Sequence, residues 1–545
     1  MLTKLFSSNL RLALLSGLLL SLAFPHIGGL NFVVFVALIP LLLAEDRLSA
    51  LKRSGFKLFG IAYLTFFIYN LLTTWWIYYA DPIGAAMAVF ANSLLMAIAF
   101  WVFHFAKKNI GRNQGYIAFV FIWLAFEYQH FNWELSWPWL SFGTVFANAP
   151  ALVQWYEWTG VLGGTCWVLI VNLFSYKLLR NKYTHGKSWK ENKPLILVIV
   201  GVIIIPLTWS VVRYVTYTEK PNPIEVVISQ PNINPYTEKF GPTSLPWKAQ
   251  LNRVFDVVTP LVDENTDFVI APETAIPYDF DEDSFSYTEM YAYLDSALKS
   301  WNGPDLVIGA STVRLFDEKN SHVSRPLRDG RYYESYNTSV HMGLNHPHRF
   351  VHKSKLVLGV EKIPFASIFP FLENFAMDLG GASGSLGIED KAVVLDGKGI
   401  GFASLVCYES VYGDFITEFV KSGAQVLFVI TNDGWWDDTP GYKQHFDFSR
   451  LRAIETRRSV ARSANTGISG IINQRGEVEQ FTKWDEQIAL KGTLNLNDEQ
   501  TIYVQYGDLL GRVAWFVTML VMVLSIVKFL RKFGTITPYG GRKNV

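Results

Sequence analysis

The sequence predicts an α-helical polytopic membrane domain of about eight spans joined to an external α/β domain, and three observations carry that expectation. Half of the residues are hydrophobic and only 17% are charged, a balance that departs from soluble domains. Long apolar runs fill the first 220 residues and return once near the end. Between them the pattern changes to short β-rich runs alternating with amphipathic helices and Gly/Pro/Asn/Asp turns, the mark of layered α/β structure. At 545 residues the chain exceeds one ordinary domain. We divide it into a membrane domain at 1–220, an external domain at 221–500, and a last span with its tail at 501–545.

The apolar runs lie at about 10–25, 30–45, 57–79, 83–106, 114–129, 159–178, 194–213 and 510–530. Most approach the ~20 residues that cross a hydrocarbon core; the first two are shorter. Lys4 and Arg11 precede a leucine-rich core as in a signal peptide, but no small-x-small cleavage pattern follows, so an uncleaved anchor is expected. Basic clusters alternate with the spans: Lys4 and Arg11; Arg47, Lys52, Arg53 and Lys57; Lys107, Lys108 and Arg112; Arg180 to Lys193; and Lys528 to Lys543. With eight spans all of them share one side. The opposite connections, around Asp81 and at 130–158, hold no Lys or Arg. The positive-inside rule then puts both termini in the cytoplasm and the α/β domain outside. No Asp, Glu, Lys or Arg sits near the middle of a span, which favours a platform over an ion-coupled transporter. The tryptophan-dense loop at 130–158 reads first as an interfacial aromatic belt and second as a vestibule beneath the external domain.

Net charge is +1, which offers no global attraction for nucleic acid. Two cysteines, Cys166 in an apolar run and Cys407, exclude a disulfide framework. Strands are expected at 225–229, 267–271, 305–310, 336–342, 393–395, 400–406, 425–431 and 459–464, with helices at 247–262, 287–300, 412–422 and 441–457.

Three features fall at strand ends, where α/β sites gather. Glu273 follows a buried strand between Pro272 and Pro277, and apolar flanks of this kind raise a carboxyl pKa towards that of a general base. Lys353 ends a second strand. Cys407 ends the run Ile400–Val406 on a strand-to-helix turn, a position that favours the thiolate. Carboxylate, ammonium and thiol together supply base, oxyanion stabiliser and nucleophile for acyl transfer. His341, His346, His348 and His352 form a loose cluster, but strands and loops scatter histidines freely, and no metal is assigned. The run 434–438 reads equally as a packed loop or a lipid gate. Arg450, Arg452, Arg457 and Arg458 read as partners of carboxylates such as Glu455 before phosphate contacts.

In this order the motifs PETAIP at 272–277, K-x-x-L-V-x-x-x-E at 353–361 and CYES at 407–410 resemble the Glu-Lys-Cys nitrilase superfamily. With TNDGWW at 431–436, Gln444-His445, RLRAIE at 450–455 and ANTGIS at 464–469, the whole chain resembles its apolipoprotein N-acyltransferase family. The resemblance implies a nitrilase-like αββα sandwich in the external domain. It implies Glu273 as general base, Lys353 as triad lysine and Cys407 as nucleophile, with Glu361, Tyr408 and Glu409 in support. Phe240, Trp435 and Trp436 are candidate substrate or lid contacts; the family usually has a lysine-tryptophan pair where this chain has Lys239-Phe240. The implied reaction passes the sn-1 acyl chain of a membrane phospholipid through a Cys407 thioester to the N-terminal amine of a diacylglyceryl apolipoprotein. It needs no metal, nucleotide or other cofactor and proceeds at the outer face of a bacterial inner membrane. The rival is a membrane-tethered amidase that hydrolyses a small amide. A ligand-binding scaffold or transporter fits the complete triad poorly.

Overall fold

The computed structural model describes residues 8–51, 54–368 and 385–534. Among the expected basic positions, Lys4, Lys52, Arg53, Arg542 and Lys543 lie outside the described residues. Every apolar run holds helix. The helices are α1 (Asn9–Ala23), α2 (Val34–Ala37), α3 (Ile39–Ser49), α4 (Gly55–Thr74), α5 (Ile77–Ala80), α6 (Pro82–Ile110), α7 (Arg112–Phe131), α8 (Tyr156–Tyr183), α9 (Lys193–Thr216) and, at the other end of the chain, the short α14 (Ile502–Tyr506) and α15 (Leu509–Gly534). Five of them, α4, α6, α8, α9 and α15, are long and apolar enough to cross a membrane by length and composition. The run expected at 30–45 is two short helices rather than one span. Helix α8 kinks at Gly160, whose φ of 59° is open to glycine and whose bare Cα lets the Tyr503 ring pack where a Cβ would clash at 2.3 Å.

Charged side chains gather at one set of helix ends. Asp46, in the last turn of α3, pairs with Lys107 at the end of α6, Arg112 at the start of α7 and Arg180 near the end of α8. Glu45 pairs with the same Lys107 and with His104. Glu127, near the end of α7, is buried and accepts hydrogen bonds from Trp123, Ser141, Thr165 and the Phe142 amide, so no charge is left bare among the helices there.

The α/β domain is a four-layer αββα sandwich. One sheet joins β1 (Pro223–Gln230), β2 (Phe268–Ile270), β3 (Ile276–Asp281), β4 (Asp305–Phe316), β5 (Arg325–Pro326), β6 (Tyr332–Gly343), β7 (His346–His352) and β14 (Ile488–Asn495). The other runs β13-β12-β11-β10-β9-β8, made of Val478–Phe481, Gly470–Ile472, Val460–Ala464, Val426–Thr431, Ile400–Val406 and Leu395–Gly397 respectively. Strand parity explains the layering. Val226, Ile228, Phe268, Ile270, Val307, Phe402, Val406, Phe428 and Ile430 meet between the sheets. Their alternate neighbours Val227, Val269, Leu306 and Ile308 pack on helices α10 (Trp247–Val258) and α11 (Glu289–Trp301), while Ala403, Leu405, Leu427 and Val429 pack on α12 (Gly413–Lys421) and α13 (Pro440–Thr456). Both faces of these strands are therefore buried, which is why they read as continuous apolar runs.

Helix α13 docks the sandwich on the helical region. Gln444 donates to the Pro25 carbonyl and accepts from the Trp139 indole, Asp447 pairs with His26, and Arg457 pairs with Glu157. The four arginines resolve accordingly: Arg450 pairs with Asp447, Arg452 with Glu455 and Arg457 with Glu157, while Arg458 donates to the carbonyls of Ala424, Thr456, Arg457 and Glu499.

Candidate active site

The ends of β2, β7 and β9 converge. Cys407 is the first residue past β9, buried at 8% exposure, with a left-handed φ of 53°. That conformation is strained for a residue with a Cβ, and strain at a strand-to-turn nucleophile is a feature of functional sites. A hydrogen-bond set holds the turn. Ser410 Oγ donates to the Cys407 carbonyl at 2.8 Å, and His445 Nε2 lies 3.2 Å from the same oxygen. Behind it the His445 ring meets Asp433 at 2.9 Å, and Asp433 accepts from Arg462 at 2.6 Å. Glu409 closes the turn from the other side: its carboxylate accepts from the amides of Val406 (2.7 Å) and Ser354 (2.6 Å), tying the cysteine turn to the residue after Lys353.

Glu273 and Lys353 are buried at 6% and 1% exposure. Lys353 Nζ donates to Glu273 Oε1 at 3.2 Å and to Glu361 Oε1 at 2.8 Å. Glu273 Oε2 accepts the Asn432 amide at 3.0 Å, and Glu361 Oε2 accepts the Val357 amide at 2.8 Å. The amide nitrogen of Asn337, on β6, donates to both carboxylates, 2.7 Å to Glu273 and 2.9 Å to Glu361. Lys239 Nζ, also buried, donates to the Glu273 carbonyl at 2.9 Å.

The electrostatics differ from the sequence expectation in two places. Burial pushes the Glu273 carboxyl up, but Lys353, Asn337 and Lys239 outweigh it and hold the group below the usual carboxylate range. Prolines and apolar flanks do not surround this carboxylate; donors do. Burial, then the Glu273 charge, pushes the Cys407 thiol well above the usual thiol range, with Lys353 opposing. The turn after Cys407 is a single 3₁₀ turn and α12 starts only at Gly413, too far on for its N-terminus to favour a thiolate. The resting pair is thus an ionised Glu273 beside a protonated Cys407. Burial disfavours the Lys353 ammonium, yet Glu273 and Glu361 hold its pKa well above the ordinary value. Burial lifts the Glu409 carboxyl to about 7.

Cys407 opens into an apolar cavity of ≈ 170 Å³ that reaches Met87, Ala88 and Leu95 on α6, with Trp137, Trp139, Val357, Leu358, Tyr408 and Trp436 among its walls. Of the loop tryptophans, Trp137 and Trp139 stack on the Tyr408 ring at 6.1 and 6.5 Å, and Trp139 meets Trp436 at 5.7 Å. The vestibule reading, not the interfacial belt, describes these two. Trp158 is different: it is 43% exposed and packs on Trp209. The 434–438 run splits as well. Trp436 lines the cavity, whereas Trp435 stacks on Phe240 at 5.8 Å and meets Tyr236, away from the thiol. Sequence reasoning gave no role to Asn337 or His445. For Asn337 a signal existed: Asn337, Ser339 and His341 alternate along β6, a buried polar stripe on one strand face.

Residues 16–174 match the family described as Apolipoprotein N-acyltransferase N-terminal domain, and residues 245–503 match Carbon-nitrogen hydrolase. An apolipoprotein N-acyltransferase from Chlorobaculum tepidum is 30% identical over 97% of this chain and 98% of its own. Proteins of the same name from Geobacter metallireducens and Thermotoga maritima are 26% and 25% identical, each over 96% of this chain and over 95% and 94% of their own.

Proposed function

This chain belongs to the apolipoprotein N-acyltransferase family, a membrane acyltransferase of lipoprotein maturation, and from that premise we propose that Cys407 carries the acyl chain as a thioester between two membrane-anchored substrates. Glu273 takes the thiol proton as Sγ attacks the sn-1 ester carbonyl of a phospholipid. The ester C–O bond breaks, and Glu273 returns the proton to the leaving alkoxide, so that a lysophospholipid departs and the acyl group remains on sulfur. The α-amine of a diacylglyceryl-cysteine at an apolipoprotein's N-terminus then attacks the thioester. Glu273 receives the N–H proton and passes it to the leaving Cys407 sulfur, which completes an amide and restores the thiol. Lys353 faces the developing oxyanion in both steps; a well-placed donor of this kind is worth roughly 3–4 kcal/mol. Glu361 and Asn337 hold Lys353 and Glu273 in register, and Glu409 holds the cysteine turn against the lysine segment. Tyr408, with Trp137 and Trp139, walls the cavity.

The observation that carries this reading is the cavity. A small-amide hydrolase needs a tight polar pocket, whereas the space before Cys407 is lined with tryptophan and aliphatic side chains and runs down α6. The charged cluster of Asp46, Lys107, Arg112 and Arg180 lies at the far ends of these helices from the cavity. This supports a topology with those ends and both termini cytoplasmic, about eight spans, and the sandwich in the periplasm above the inner membrane. The test is peptide mass spectrometry of protein taken from its own membranes. A hydroxylamine-sensitive fatty acyl group on the Cys407 peptide is expected, absent in Cys407→Ser. An unmodified cysteine after incubation with phospholipid would return the assignment to the amidase.

A further inference from the structure

A second cluster sits on β4, β6 and β7, and one of these strands, β7, leads at its other end to Lys353. Asp305 opens β4, His341 lies four residues beyond Asn337 on β6, and His346 opens β7. A register shift between His341 and Gly343 in the β6–β7 pairing aims the His346 side chain at Asp305. Its near neighbours go elsewhere: His348 packs on Phe285 and Tyr291, and His352 binds Glu282 and stacks on Tyr336. The H-x-H pair therefore splits, and only one member joins the cluster.

Three ligand atoms, Asp305 Oδ2, His341 Nε2 and His346 Nε2, lie within 4.8 Å of one another. The carboxylate oxygen stands 3.0 Å from each nitrogen. His346 Nδ1 is 3.0 Å from the Pro347 carbonyl, an oxygen that only accepts, so Nδ1 carries a proton. In the neutral ring, Nε2 is then a lone pair facing a carboxylate oxygen. Two acceptors at that distance need a positive charge between them, either a second ring proton or a cation. The carbonyl on the other ring nitrogen is also the outer contact that orients metal-bound histidines. His341 is wholly buried, and its Nδ1 has no hydrogen-bond partner among the described residues, so Asp305 is its one polar engagement.

Two glycines from different sheets let the three side chains meet. A Cβ on Gly343 would come within 2.3 Å of His346 Nε2 and 2.4 Å of Asp305 Oδ1; one on Gly397 would come within 2.5 Å of Asp305 Oδ2 and 2.9 Å of His341 Nε2. We propose that Asp305, His341 and His346 form a divalent transition-metal site of the zinc class at the end of the sandwich opposite the catalytic residues. Two imidazoles and one carboxylate are a zinc-type donor set with a fourth position for water. The ion ties the β6–β7 hairpin to β4 beside the β8 turn of the second sheet, and so stiffens the strand that presents Lys353. It takes no part in acyl transfer.

The test uses the full chain in detergent, stripped with EDTA, re-equilibrated with Zn²⁺ and freed of excess metal. Metal content is read by inductively coupled plasma mass spectrometry and stability by thermal unfolding. The expected result is about one zinc per chain, the stoichiometry of a three-ligand site, with a melting temperature that rises as zinc is added. His346→Ala, at a partly exposed hairpin position, and Asp305→Asn lose both the bound zinc and the rise, whereas His348→Ala keeps both. Cys407 acylation in His346→Ala shows that this variant is folded. Zinc at equal stoichiometry in wild type and His346→Ala overturns the site. So does the absence of retained zinc in wild type, including the case where only a pH-dependent melting step through the histidine range disappears in His346→Ala, the mark of a simple imidazolium–carboxylate pair.

Discussion

Asn337 donates to Glu273 Oε1 at 2.7 Å with the same amide nitrogen that reaches Glu361 at 2.9 Å. One neutral side chain thus holds two carboxylates on either side of Lys353 without adding charge. Burial pushes the Glu273 carboxyl up, and against it the Asn337 hydrogen bond stands second only to the Lys353 charge in keeping Glu273 ionised. Removing it raises the Glu273 pKa. Asn337→Ala is therefore expected to lower the acylation rate by about 10- to 100-fold, a partial loss of the roughly 10²–10⁴-fold that a placed general base contributes. The acid limb of its pH–rate profile moves to higher pH. A lower rate with an unmoved limb would assign Asn337 to packing alone.

Lys353 and Cys407 separate chemistry from stability. Cys407→Ser removes the nucleophile and leaves the buried charges as they were, so transfer stops and the melting temperature stays near wild type. Lys353→Met stops transfer and also leaves Glu273 and Glu361 without their shared cation, a loss on the order of 3–5 kcal/mol for a broken buried pair. The sign with pH follows from the depressed Glu273 pKa. Its contribution is present above the unfolded carboxyl value and disappears as pH falls through the lower folded value. Wild type therefore loses this contribution as pH falls, whereas Lys353→Met, which never had it, does not, so the gap in melting temperature between the two narrows towards acid pH, which scanning fluorimetry from neutral to acid pH measures.

The sequence carried the layout of helices and of the buried strands because each is a long apolar run or a doubly buried one, as in Ile400–Val406 and Val426–Thr431. It did not carry β3, β5, β12, β13 and β14, and of β7 it carried only the end at Lys353. In β7, HPHRFVH mixes polar residues with one proline, and β14, IALKGTLN, is half-exposed and interrupted by Lys491 and Gly492, so neither shows the apolar alternation of a strand. Glu273, Lys353 and Cys407 were legible as strand-end residues within ordered motifs. Their protonation states were not, because the charges and the donor that set them come from Lys239, Glu361 and Asn337, scattered over more than a hundred residues of chain. The Trp137–Tyr408 stack was equally invisible, since local composition cannot distinguish a tryptophan facing lipid headgroups from one facing another part of the chain.

The cavity predicts a chain-length effect. Ala88 is half-buried on α6 and lines the cavity with Met87 and Leu95. Ala88→Trp fills room that an acyl chain would take. Transfer from long-chain phospholipids is expected to fall by about tenfold or more, the scale of losing space for a few methylenes in an apolar pocket. Transfer from short-chain esters persists, and so does alkylation of Cys407 by a small thiol reagent. Equal loss with both donor lengths would place the acyl chain elsewhere.

Lys239 gives a prediction on the alkaline side. Burial lowers its pKa to about 7, with Glu273 opposing, while its neighbour Phe240 stacks on Trp435. A lysine depressed in the folded state binds fewer protons there than in the unfolded chain at every pH between the two values. Stability therefore rises with pH from about 7 towards the ordinary lysine range, with a limiting slope of about 1.4 kcal/mol per pH unit. Lys239→Met has no such group to titrate. Its melting temperature should stay flat between neutral and mildly alkaline pH where wild type climbs. Loss of the Lys239 charge also raises the Glu273 pKa, so the acid limb of transfer shifts upward in the same variant. Both movements come from one buried ammonium, and a Lys239→Met protein whose stability still climbs with pH as steeply as wild type would show that another group, not Lys239, sets the alkaline rise.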